Sequence, residues 1–449
     1  MSNPLDELTA AAVLGIDTLW GGDVMNPSGT GRFIADSWFS DEPLPETYSH
    51  ATAGAVRTAG GLSASEPDLD AIDAYLAAVQ LREKIDQMME LGPRVGGSRG
   101  AFLAGLGHCI DVMWDLAMEA LDRGEPVPYE RSVEASCAEP PSPSDASKSR
   151  ARLGKLLTEA GYPAENDDQL LEAVDAWRSE RMVPPATIPA LSRALIAELE
   201  AGTQTHLLPH LPSDLHGVPR ANVQLLPIRD AWFSGSMNYV GRARTSDGRP
   251  EYEATYEINA SLEISVPELH QLVSHEVVPG HVTTFAYLQH LHSLRKVGFE
   301  ATVLTMNSRY TTLAEGIANN AILMAYGVTE LEDLPDDDLH IGCLLAELQD
   351  DAKNQASYLT WKEAWPQPEV AEALRREFVV SEERAAKLSG PWARHPLLGR
   401  MYLPSYRSGT RVVAQLRRDH PSEIVVPTLY GCNGIVDVAT IQDVVGERR

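Results

Sequence analysis

His275-Glu276-Val277-Val278-Pro279-Gly280-His281 sets two imidazoles and a carboxylate within seven residues, next to a break in the backbone. Helices of the H-E-x-x-H type hold their two metal-binding His at i and i+4 on one face, with the Glu left as a base. Here the second His stands at i+6. Six residues of ideal helix sweep about 600°, which leaves the two rings roughly 120° apart around the axis. They can share one ion only if the helix is broken between them. Pro279 removes a backbone donor and clashes with the preceding turn, and Gly280 accepts unusual backbone angles. The reading is that His275 and Glu276 end one helical segment and His281 opens the next, within a helical stretch over 267–290.

A catalytic zinc site uses three protein ligands and leaves one position for water. Downstream, over 308–326, apolar residues recur at Leu313, Ile317, Ala321 and Met324, which is helical spacing. Glu315 lies off that stripe, and Asn319 is one turn further along the same side. Glu315 is the expected third ligand and Asn319 a neighbour that supports the ligands. The alternative for Glu315 is a solvated position on an amphipathic helix.

Away from these two segments, most of the chain reads as helix. Helical patterns cover 5–20, 68–91, 99–123, 149–160, 167–181, 187–202, 338–360, 368–389 and 405–418, while 21–65 reads as irregular. Residues 221–266 change character. Asn222–Pro227 and Glu253–Asn259 read as strands, with a turn at Ser246–Pro250. The expected fold is mainly α with a small β-sheet just before the metal helices, whose edge is suited to holding an extended peptide. The expected organisation is an N-terminal helical region (1–130), a Pro/Ser-rich connector or loop (131–150) and a catalytic region (151–449). His108 and Cys109 read as core residues of a packed helix, and His206, His210 and His216 as loop histidines.

Composition narrows the partners. The net charge of −27 over 449 residues repels phosphate backbones, so neither nucleic acid nor an anionic membrane is expected. Cys109, Cys137, Cys343 and Cys432 form no C-x-x-C pair, which suits a reducing cytoplasm rather than a disulfide framework. No signal peptide is read at the acidic N-terminus, and no run of 18 apolar residues suggests a membrane span. A cytoplasmic location is the resulting expectation; oligomeric state is not read.

H-E-x-x-P-G-H followed by E-G-x-A at Glu315–Ala318 resembles a bacterial family of zinc-metallopeptidase type, whose helical core is similar to the gluzincin peptidases such as carboxypeptidase Taq. Two further stretches are similar to the family's: Tyr406-x-x-Gly409-x-x-x-Val413-x-x-Leu416-Arg417, and Tyr256-Glu257-Ile258-Asn259 before the metal motif. The resemblance covers roughly 220–420. The chain departs from it at Val282, where the family has a second His, and at Ile317, Asn320 and Ile322, where it has Trp, Tyr and Glu. The metal triad survives and the surrounding pocket is altered.

The resemblance implies a helical zincin-like body with a cleft. His275, His281 and Glu315 would bind one Zn²⁺, with Fe or Mn as alternatives, and Glu276 would act as general base on a peptide or small amide substrate. Tyr406 is the first candidate to stabilise the tetrahedral intermediate, and Asn259 is a candidate substrate contact. Arg309, Arg407 and Arg411 suit a substrate carboxylate, or pair with this chain's excess acids. Two other classes stay open: a non-haem Fe(II) oxygenase, which also uses two His and one carboxylate, and a metal-stabilised protein without turnover.

Overall fold

A computed structural model describes residues 3–26, 34–228, 235–259 and 264–448. The periodic stretches become helices, and the chain is mainly α-helical with one three-stranded sheet. Pro4–Leu19 starts where Asn3 accepts from the Leu5 amide and Pro4 supplies a preset φ. Almost every residue of it after Glu7 is buried. Gly97–Ala120 buries Phe102, Leu106, Ile110, Met113 and Ala117, the face read from the sequence. By length and composition this helix is able to cross a membrane, but 61% of its most apolar window is buried inside the protein.

Four expectations change. The pattern over 68–91 is two helices, Leu69–Val79 and Leu81–Leu91, because Gln80 takes a left-handed φ of 49° between them. The pattern over 368–389 is two helices, Gln367–Phe378 and Glu382–Lys387, because Val379 takes a left-handed φ of 56° between them. The stretch 21–65 holds helices Glu46–Ser49 and Ala51–Ala59. The Pro/Ser-rich connector contains the helix Tyr129–Cys137, which docks under the Glu315 helix: Thr312 Oγ1 donates to the Ser136 carbonyl at 2.7 Å. Its short length and five flanking prolines hide it from a periodicity reading.

The sheet contains β1 (Val223–Ile228), β2 (Gly235–Tyr239) and β3 (Ala254–Asn259) in the order β1-β3-β2. β3 is central. It pairs parallel with β1 from Val223↔Ala254 to Ile228↔Asn259, and antiparallel with β2 from Gly235↔Ile258 to Tyr239↔Ala254. Pro227 is tolerated because β1 is an edge.

Packing ties the regions together. One apolar core joins Leu14, Ile16, Leu106 and Ile110 to Val273, Val277, Val282, Leu313 and Ile317, and on to Leu416 and Tyr430. A second joins Leu153, Leu170 and Trp177 to Leu344, Leu348, Val370 and Phe378. The N-terminal helices therefore share the core that supports His275 and His281, and a boundary at residue 130 runs through it.

Candidate metal centre

Ser265 opens the first metal helix, Val266–Glu276, with a reciprocal capping box to Glu268, and Glu268 is also clasped by Arg178 at 2.7 Å. The helix ends at Glu276. The Val278–Pro279 peptide is cis, and His281 begins the next helix, His281–Ser293. Gly280 is required by close approach: a Cβ there would lie 1.8 Å from the His275 carbonyl oxygen. Three carbonyls at the break find side-chain donors. Thr283 bonds to Val277, Thr284 Oγ1 to Gly280, and the buried Tyr430 hydroxyl to Pro279 at 2.7 Å. The break thus turns an i+6 pair into neighbours, with ring centroids 4.8 Å apart and planes at 88°.

Glu315 comes from the helix Arg309–Asn319, capped by Ser308. Its Oε2 lies 3.4 Å from His275 Nε2 and 3.9 Å from His281 Nε2. One donor atom from each of the three residues falls within 4.8 Å of the others. Glu315 Oε1 accepts from the Tyr402 hydroxyl at 2.9 Å, whereas Oε2 is buried and has no hydrogen-bond partner. A buried carboxylate oxygen left in this way, facing two imidazoles, fits a cation. Burial works against charge on both His275 and Glu315. Their mutual attraction outweighs it, so the imidazole is raised and the carboxyl lowered.

The centre opens into a cavity of about 120 Å³ whose lining includes Glu276, His275, His281, Glu315, Tyr402 and Tyr406. Glu276 and Tyr406 are therefore placed with the triad, and Asn319 accepts from His275 Nδ1 at 2.8 Å. Tyr406 donates to Tyr402 at 2.9 Å. Burial, followed by the Glu315 charge, raises both phenols well above their ordinary value, so both remain donors at neutral pH.

The expected substrate contacts are elsewhere. Arg309 Nε donates to the Ala135 carbonyl at 3.1 Å, Arg407 pairs with Asp351 at 3.1 Å, and Arg411 faces Glu139 at 3.8 Å. These arginines serve the chain's own acids and carbonyls. Asn259 ends β3, paired in register with Ile228, and is not part of the cavity lining. His216 Nε2 lies 3.0 Å from the Leu211 carbonyl and belongs to its loop.

Sequence reasoning missed Tyr402, which bonds to Glu315, and β2, whose Gly235, Ser236 and Met237 line the cavity. The Tyr402–Tyr406 spacing of four is the signal that points to the first. The departures from the family pattern are structural here. Val282 and Ile317 lie in the main core, Ile322 packs in a small cluster with Leu323 and Leu339, and Asn320 accepts from Arg417 at 3.1 Å.

No protein-family model matches the chain, and no curated protein matches it. Among solved structures it is similar to a lipoprotein candidate from Colwellia psychrerythraea, at 16% identity and a TM-score of 0.53. That likeness covers 86% of this chain and 63% of the other, so this chain spans less than two thirds of its length. It is also similar to a lipoprotein candidate of unknown function from Shewanella oneidensis, at 14% identity and a TM-score of 0.49, over 91% and 79% of the two chains. At 16% identity the first likeness is one of fold alone.

Proposed function

We propose that this chain is a metal-dependent hydrolase, with zinc the first candidate metal, that cleaves a peptide or other amide bond. The observation that carries the reading is the convergence of His275, His281 and the orphaned Oε2 of Glu315, with Glu276 in the same cavity. The resemblance of the H-E-x-x-P-G-H and E-G-x-A motifs to a metallopeptidase-type family supports it. A zinc ion held by these three residues supplies a Lewis acid that polarises a carbonyl and acidifies water.

The remaining work falls to side chains of the chain itself. A Glu276 carboxylate oxygen accepts the proton of the attacking water and returns it to the leaving nitrogen. Tyr406 turns its hydroxyl from Tyr402 to the oxygen that gains charge in the tetrahedral intermediate. Tyr402 keeps Glu315 Oε1 occupied, so that Oε2 stays turned to the imidazoles. The edge at Gly235–Met237 offers backbone groups to an extended substrate.

The test is elemental analysis of wild type beside His281→Ala. About one equivalent of zinc in wild type and almost none in the variant is expected. Iron in its place would move the reading to oxygen chemistry, since the same ligand set serves non-haem iron. Absence of metal after reconstitution with zinc, iron or manganese would end the hydrolase reading.

A further inference from the structure

The orientation of His275 is decided two residues away from it. Asn319 Nδ2 lies 2.6 Å from Asp350 Oδ2 and 2.7 Å from Thr410 Oγ1. The Thr410 hydroxyl donates to the Tyr406 carbonyl at 2.7 Å, so toward Asn319 it is an acceptor. With both acceptors on Nδ2, the amide oxygen must face His275, and it lies 2.8 Å from Nδ1. An oxygen at that place makes Nδ1 the donor and leaves the Nε2 lone pair for an ion. A flipped amide would set N–H against Nδ1 and favour the other tautomer. The Thr410 hydroxyl could turn to donate to a flipped amide by giving up the Tyr406 carbonyl, so Thr410 alone does not settle the sense. Asp350, a carboxylate paired with the Lys353 ammonium, offers only acceptor oxygens to Asn319, so it does.

Asp350 is itself fixed. Lys353 Nζ is 2.8 Å from its Oδ1, and the same ammonium sits 3.2 Å from the centroid of the Tyr406 ring. Tyr406 leads through Tyr402 to Glu315. A closed circuit therefore runs from His275 through Asn319, Asp350, Lys353, Tyr406 and Tyr402 to Glu315, anchored on the helix Asp337–Trp361.

We propose that Asp350 is a positioning residue of the metal centre, which sets the His275 tautomer through Asn319; the proposal rests on the metal reading above. Partners of this kind around metal ligands typically carry 10–100-fold in metal affinity.

The experiment is zinc affinity by competition with a chromophoric chelator, with thermal melts of the metal-free proteins alongside. Asp350→Asn is expected to weaken zinc binding about 10–100-fold, because its amide no longer dictates the sense of Asn319. Asn319→Leu is expected to do the same, and the two together no worse than Asn319→Leu alone. The swap Asn319→Asp with Asp350→Asn keeps an acceptor toward His275 and is expected to recover affinity, which a merely structural role would not produce. Asp351→Asn, next on the helix but paired with Arg407, is expected to bind like wild type. Zinc held by Asp350→Asn as tightly as by wild type overturns the positioning role alone, and so does a swap that recovers nothing. A wild type that binds no zinc overturns the metal reading and this inference with it.

Discussion

Gly409 rests directly against Gly316, with no side chain between their two helices. A Cβ on Gly316 would lie 2.2 Å from the Gly409 carbonyl oxygen, and one on Gly409 would lie 1.8 Å from that of Thr312. Arg309–Asn319 and Leu403–Asp419 therefore meet backbone to backbone. That approach lets the Tyr402 hydroxyl, one residue before the second helix, reach the Glu315 carboxylate at 2.9 Å.

Gly409→Ala is accordingly expected to force the helices apart. Overpacking of a tight contact typically costs about 1–3 kcal/mol, and a methyl facing backbone belongs at the upper end. Urea unfolding of the metal-free protein measures this, and zinc uptake reports whether Glu315 has moved. Unchanged stability together with unchanged uptake would mean that the helices tolerate a wider separation.

Tyr402→Phe removes the donor to Glu315 Oε1 and also the acceptor of the Tyr406 hydroxyl. Stranding buried polar groups costs roughly 1–3 kcal/mol. Tyr406→Phe removes a donor to Tyr402 and leaves the Tyr402–Glu315 bond in place, so the smaller loss is expected there. Denaturant midpoints of the two variants, compared without metal, decide the order. Equal midpoints would place the anchoring of Glu315 elsewhere.

The triad was legible because its information is local: two His and a Glu astride a Pro-Gly break, then a Glu off the apolar stripe of a helix. The arginines show where residue type misleads. Arg407 follows Tyr406 but is held by Asp351. Arg309 precedes Glu315 by six but is held by the Ala135 carbonyl. Helical phase does not exclude either, since the adjacent His275 and Glu276 share the cavity; the partners that take the arginines are distant in sequence and were not readable. The spacing of four set Tyr402 on the side of Tyr406, but its bond to Glu315 was not readable, because it depends on the glycine contact between helices distant in sequence. β2, short and carrying Gly, Ser and Asn, becomes a strand through pairing with β3 rather than by its own preference.

Glu276→Gln separates binding from chemistry. Glu276 is not a ligand of the proposed ion, so metal content is expected to match wild type. Turnover of any peptide or amide that wild type cleaves is expected to fall about 10²–10⁴-fold, the usual worth of a positioned base. Metal lost in this variant would make Glu276 a ligand, and turnover retained would hand the proton transfer to another group.

Asp17 offers a test of the fold that is independent of the metal. Its Oδ1 accepts from the Ile34 and Ala35 amides at 3.1 and 2.9 Å, while Oδ2 is buried without a partner. Burial, only partly offset by those amides, pushes its carboxyl up to about 7, from 3.8 for an ordinary Asp. The folded state thus holds this proton more tightly than the unfolded chain. Stability from this group is fully present below about pH 4 and is lost as pH rises toward about 7. Asp17→Asn keeps the oxygen that accepts from both amides and removes the buried charge. The variant is therefore expected to gain on wild type, by a few kcal/mol, between pH 4 and pH 8. Urea unfolding of both proteins across that range measures the difference, and a gap that stays constant with pH would mean that Asp17 ionises as readily inside the fold as outside it.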